Sequence, residues 1–154
     1  MKPAEERKIG ESVKYWRNPD LSDVELLHAR YTAQSFSRHA HDTYAIGVIE
    51  QGALAFSYRG ENWVAQAGQV NLAVPGESHT GNAATDSGWT YRMFYIAPEL
   101  MRQVSAAITG CPARLPFFDA GVINDANLAG RIRSLHRELE ENKMQISCIY
   151  QQYE

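Results

Sequence analysis

Apolar and polar positions change rhythm twice along this chain and divide it into three stretches. Residues 1–20 are polar and carry the turn signal Asn18-Pro19-Asp20, which predicts a flexible N-terminal arm. The run VELLHARYT from Val24 to Thr32 reads as a first strand. From His39 to Pro98, short β-prone segments follow one another about every ten residues: Tyr44–Ile49, Ala53–Tyr58, Asn62–Ala65, Val70–Val74 and Trp89–Ile96. Turn residues separate them, at Gln51-Gly52, Arg59-Gly60, Ala67-Gly68, Pro75-Gly76 and the stretch from Gly81 to Gly88. Many short strands with regular glycine turns predict a sandwich, jelly roll or barrel over residues 21–98. Gly60 can take positive φ, so Arg59-Gly60-Glu61-Asn62 predicts a tight hairpin.

After Pro98 the period becomes helical, and residues 99–154 read as a mainly helical segment. Leu100, Val104 and Ile108 recur through Pro98–Thr109, and Gly110 is a natural stop. Residues 115–123 offer one last short strand. Asp125 then opens a helix that runs to Asn142, with Leu128, Ile132, Leu135 and Leu139 on one face. That stripe would pack on the barrel, form a dimer seam, or do both. The tail Met144–Glu154 alternates apolar and polar residues and could begin a second helix.

Composition narrows the setting. With 154 residues, 44% hydrophobic and 21% charged, the chain is an ordinary globular domain, long enough to bury a core without staples. Its net charge of -3 argues against a free-standing nucleic-acid binder, whose affinity would need a basic excess. Arg131, Arg133 and Arg137 share a helix with Glu138, Glu140 and Glu141, which reads as a solvated face. Cys111 and Cys148 are far apart and fit free thiols in a reducing compartment. Met1–Glu11 lacks the apolar core of a signal peptide, and no apolar run is long enough to cross a bilayer. A cytoplasmic protein with no membrane partner is expected.

The candidate chemistry begins at His39-Ala40-His41. On a strand, the two imidazoles would share one face and could converge on a ligand or a metal. In a loop or at a rim they would merely be solvated. A second element runs from Gly68 through Pro75-Gly76-Glu77-Ser78-His79 to Asn82, either a hairpin with an exposed histidine or part of the same site. Tyr44, Trp89, Tyr91 and Tyr95 combine an apolar body with a polar tip, which suits a ligand pocket and suits a core equally. Trp89, Tyr91, Met93 and Tyr95 share one strand face, with Thr90, Arg92, Phe94 and Ile96 on the other; alternation does not say which is inward. Arg38 and Arg92 could meet a ligand carboxylate, Asp42 or another surface acid. Glu50 reads as a strand-end surface residue.

Taken together, the elements His39, His41 and Gly52, then Gly68, Pro75, His79 and Asn82, resemble the two motifs of the cupin superfamily. The resemblance implies a mainly β fold, a cupin-like jelly-roll barrel with C-terminal α-helices, and a pocket lined by His39, His41 and His79. The chain departs from the pattern at one place: the glutamate expected near position 45 or 46 is replaced by Ala45 and Ile46. Three histidines could still hold a divalent metal such as Zn, Ni or Fe, with Glu77 as an added carboxylate if its turn faces inward. No cofactor is required by this reading, and a metal-free organic pocket is favoured.

The ordered runs RHAHDTYAIGVIEQG, YRG, AGQVNLAVPGESHTG and WTYRMFYIAPE are similar to the sensor domain of AraC-type transcription regulators, over about residues 24 to 142. That resemblance implies a small-molecule effector bound by His39, His41, Tyr44, His79, Trp89, Tyr91 and Tyr95. It also implies a homodimer through the helix 125–142, and DNA contact only through a C-terminal helix-turn-helix domain for which too few residues follow Asn142. A metal-dependent cupin enzyme, a dioxygenase or an isomerase, is the competing expectation. A purely structural or oligomerising module is a third.

Overall fold

The alternation just described becomes nine strands and two helices in the computed structural model, which describes residues 10–111 and 114–151, with side chains described as far as Asn142. The strands are β1 (Ser12–Asn18), β2 (Val24–Tyr31), β3 (Ser35–His39), β4 (Tyr44–Tyr58), β5 (Glu61–Gln66), β6 (Val70–Ala73), β7 (His79–Ala83), β8 (Trp89–Ile96) and β9 (Val122–Ile123). Helix α1 (Pro98–Thr109) follows β8, and helix α2 (Ala126–Gln151) follows β9. One sheet has the order β1-β2-β8-β4-β6-β9; β3, β7, the second half of β4 and β5 form the other, and every pairing is antiparallel.

Strand β4 joins the two sheets. The sequence reading divides it into two strands at Gln51-Gly52, but the structure runs one strand through, with a register shift between Ile49 and Gln51. Gly52 has φ +71, and a Cβ there would fall 2.0 Å from the Gly88 carbonyl oxygen. The glycine thus marks a bulge that bends a continuous strand and not a reversal of the chain.

The sheets enclose one core. Leu27, Ala29, Ala45, Ile49, Trp89, Tyr91 and Met93 enter it from the first sheet, and Leu54, Phe56, Tyr58 and Ala65 from the second. The inward face of β8 is therefore that of Trp89, Tyr91 and Met93. Its other face is also buried, because α2 lies across the outside of the first sheet. There Trp16, Val24, Leu26 and Phe94 pack with Ile132 and Leu139, and Val48, Val70 and Leu72 pack with Ala129. Each fully buried side chain of this size contributes about 1.5–3 kcal/mol.

Several expectations are corrected. The predicted flexible arm, residues 1–20, contains strand β1, whose seven residues pair with β2 and whose Trp16 is buried; residues 1–9 lie outside the described residues. Of the predicted strand 115–123, only Val122–Ile123 pairs, with β6. The rest is a strap across the barrel, where the Tyr44 hydroxyl donates to the Pro116 carbonyl and the Tyr58 hydroxyl to that of Phe118 at 2.9 Å. The helix expected to end at Asn142 continues to Gln151, so the tail extends it and begins no new one. Asp125 does cap it, its carboxylate accepting from Leu128 N–H at 3.0 Å. Leucine and isoleucine positions that the sequence places in one stripe split in two: Ile132 and Leu139 face the barrel, while Leu128 and Leu135 are exposed.

Candidate functional site

Strand β3 brings the first histidine inward by an irregularity. Phe36 pairs with Gly81 and His39 with His79, and the register shifts between them. In a regular strand, residues 36 and 39 would point to opposite faces; the bulge lets both face the interior. His79 opens β7 directly opposite both His39 and the buried Tyr58. His41 follows in the link between β3 and β4.

The three imidazoles meet. Ring centroids are 4.5 Å apart for His39–His79, 4.9 Å for His39–His41 and 5.1 Å for His41–His79. One nitrogen from each lies within 4.8 Å of the others, and all three rings are half-buried. His39 Nδ1 is 2.7 Å from the Ser37 carbonyl and His79 Nδ1 is 3.0 Å from that of Glu77. A carbonyl can only accept, so both Nδ1 atoms carry protons, and the neutral form of either ring then has its Nε2 lone pair open to a ligand. Burial lowers the pKa of His79, and the neighbouring His39 adds to this against the raising effect of the Glu77 hydrogen bond. A cavity of about 340 Å³ opens beside the cluster, lined by Gln34, Phe36, His39 and His41 among others.

Aromatic side chains continue the site inward. Tyr95 is 5.3 Å from His41 by ring centroids, and Trp89 packs with Tyr31, Phe36 and Tyr91. Burial raises the hydroxyl pKa of both Tyr91 and Tyr95, which keeps them protonated donors. The buried Trp89 Nε1 has no hydrogen-bond partner among the described residues. Tyr44 stands apart from this group: its ring is against Phe118 and its hydroxyl is committed to the strap. Arg38 reaches Ser57 and Ser78 on the exposed surface.

The donor set suits a divalent metal in kind, since imidazole nitrogens are usual ligands and His39 and His79 each hold Nδ1 on a backbone carbonyl. Tetrahedral zinc would hold its nitrogens roughly 3.4 Å apart, so the rings would have to draw in. Ala45, at the expected glutamate position, is buried and supplies only a methyl group. Among the described residues, Glu77 does not join the three histidines as a ligand.

A second polar cluster lies outside the barrel, under α2, and the sequence reading misses it. Glu50 and Glu140, expected on the surface, are almost covered, and Arg92 joins them. Arg92 Nε is 2.8 Å from Glu50, and its Nη1 contacts Glu140 and, at 3.2 Å, His136 Nδ1. Arg133 and His28 also reach Glu50, and Lys14 and His28 reach Glu140. Arg92 is therefore spent on the protein and not free to meet a ligand carboxylate. A charge on an alternating strand and a glutamate in a charged run both read as solvated, because their partners are distant in sequence.

The model of the AraC-like ligand binding domain matches residues 21–148. The chain belongs to the AraC-like ligand binding domain family. It is 27% identical over 120 residues to the uncharacterized HTH-type transcriptional regulator YbfI of Bacillus subtilis (strain 168), covering 78% of this chain and 43% of that protein. The domain thus spans less than half the length of this relative. Among solved structures, it is similar to the conserved SPY1581 protein of unknown function from Streptococcus pyogenes, with TM-score 0.50, 16% identity, and 60% and 78% of the two chains covered. The Cupin_2 domain of an XRE family transcriptional regulator from Enterobacter cloacae gives TM-score 0.49 at 14% identity, over 57% and 97%. The fold of this AraC-like domain is mainly β, two antiparallel sheets around one core with a helix across the outside of the first. No helix among its described residues is long and apolar enough to cross a membrane.

Proposed function

We propose that this domain is the effector-sensing and dimerising part of a cytoplasmic transcription regulator, which acts on DNA through a separate helix-turn-helix domain. The observation that carries the reading is the meeting of His39, His41 and His79 at the mouth of an aromatic interior. His39 and His79 offer Nε2 acceptors there, and the buried Tyr91, Tyr95 and Trp89 behind the cluster offer donors and apolar surface, a combination that suits a small organic molecule. A sensor works only if its ligand binds one conformation better than another.

The test is thermal unfolding with a panel of small carboxylates, amino acids and polyols. A ligand at about 100 times its Kd should stabilise by about 2.7 kcal/mol, raising Tm by several degrees. His39→Ala/His79→Ala should abolish that shift while the unliganded protein still melts cooperatively. Absence of any shift across the panel, or a shift that survives the double variant, would refute the reading.

The three-imidazole donor set supports a second reading, a metal-dependent cupin enzyme in which these histidines hold a divalent ion with open positions. Elemental analysis of purified protein separates the two: stoichiometric metal together with turnover would favour the enzyme.

A further inference from the structure

Strand β8 has one face in the barrel and the other under α2. We infer that β8, with Arg92 as its pin, transmits the state of the barrel interior to helix α2, so that Arg92 is a positioning residue for the helix. This rests on the sensor reading proposed above and names how that site would be read out.

Two successive residues of β8, Arg92 and Met93, link the interior to the helix. The Met93 side chain lies in the interior core, whereas its carbonyl accepts a hydrogen bond at 3.2 Å from Nε2 of His136 on α2. The strand has no slack at this point, because a Cβ on Gly47 of β4 would lie 2.2 Å from both the Met93 sulfur and the Arg92 carbonyl oxygen. Anything that displaces the Met93 side chain therefore shifts the peptide that holds His136. Arg92 can only donate, so His136 Nδ1 must accept from it and Nε2 must carry the proton given to Met93. One tautomer of one fully buried ring thus reads a β8 backbone group and a β8 side chain together. The Arg92 guanidinium also ties Glu140 of α2 to Glu50 of β4. Buried charges tolerate poor pairing badly, so a displacement here is passed to the helix and not absorbed locally.

Amide hydrogen exchange under native conditions tests this without an effector, in the wild type, Met93→Leu, Arg92→Met and the double variant. Met93→Leu changes the shape of the interior at nearly constant volume. Arg92→Met leaves Glu50 with Arg133 and His28, and Glu140 with Lys14 and His28, so the fold keeps its pairing. Met93→Leu should alter exchange of the α2 amides Ala129–Glu141 by about fivefold or more relative to those of β5, the low end for coupled sites. In the Arg92→Met background the same change should be markedly smaller, because the Met93–His136 hydrogen bond remains but the residue that pins its partner does not. Leu54→Val, inside the barrel but on the other sheet beside β5, should leave the exchange of the α2 amides themselves unaltered. The inference is overturned if Met93→Leu moves α2 equally with and without Arg92, or if Leu54→Val moves it as much. That failure would leave the ligand-induced Tm shift and its loss in the histidine variant untouched, so the two ideas fail separately.

Discussion

At His136, two hydrogen bonds of opposite sense fix both tautomer and charge. Burial, followed by the Arg92 charge, lowers its pKa to about 4 from an ordinary 6.5, although the Met93 carbonyl and Glu140 pull the other way. Glu140 shows the opposite balance: burial alone would raise it, yet hydrogen bonds from Arg92, Lys14 and His28 prevail and hold it at about 2 instead of 4.5. Both groups bind protons more readily in the unfolded chain, so both make stability fall as pH falls. The His136 contribution is complete above pH 6.5 and disappears between 6.5 and about 4; that of Glu140 is complete above 4.5 and disappears between 4.5 and about 2. Urea unfolding at a series of pH values should show the loss starting below 6.5. His136→Asn, which can still accept and donate but does not titrate, should flatten the upper part of that profile, and Glu140→Gln the lower. An unchanged upper limb in His136→Asn would mean that another histidine governs it.

Elements make different demands on the same residue type, and glycine shows how. Gly60 turns the β4–β5 hairpin at φ +77 with open space around its Cα, so Gly60→Ala meets only the left-handed backbone penalty, about 1–2 kcal/mol. Gly52 adds to a similar φ a collision with the Gly88 carbonyl, so Gly52→Ala should cost on the order of 4 kcal/mol. Urea midpoints of the two variants decide it, and a larger loss at Gly60 would refute the ranking. Sequence spacing finds both glycines as punctuation but not the difference, since the collision depends on which strand lies alongside. The same limit applies to the site. His39 and His79 are legible as candidates from their short-range motifs. The bulge that turns Phe36 and His39 to one side is not, because only pairing with β7 reveals it. Arg92 and Glu50 are farther still from legibility: local alternation gives each a face but cannot show that α2 will cover that face.

For the whole molecule, the decisive element is α2, because it has two apolar faces and the barrel uses one. Ala129, Ile132, His136 and Leu139 belong to the inner face, which closes the core outside the first sheet. Leu128 and Leu135, 36% and 50% exposed, lie two turns apart on another side of the helix. A seven-residue spacing keeps such residues aligned along a seam, as in helix pairs that meet across an interface. If the domain pairs through this seam, the same helix that β8 grips from inside would face the partner from outside, and a change in the barrel could reach the dimer through one rigid body. Leu128→Glu/Leu135→Glu should then convert a dimer into a monomer in light scattering coupled to size-exclusion chromatography. The urea midpoint measured on the monomer should barely move, since surface changes of this kind usually stay within about 0.5 kcal/mol. A wild-type domain that remains monomeric at its highest soluble concentration, or a charged variant that remains dimeric, would place the interface elsewhere.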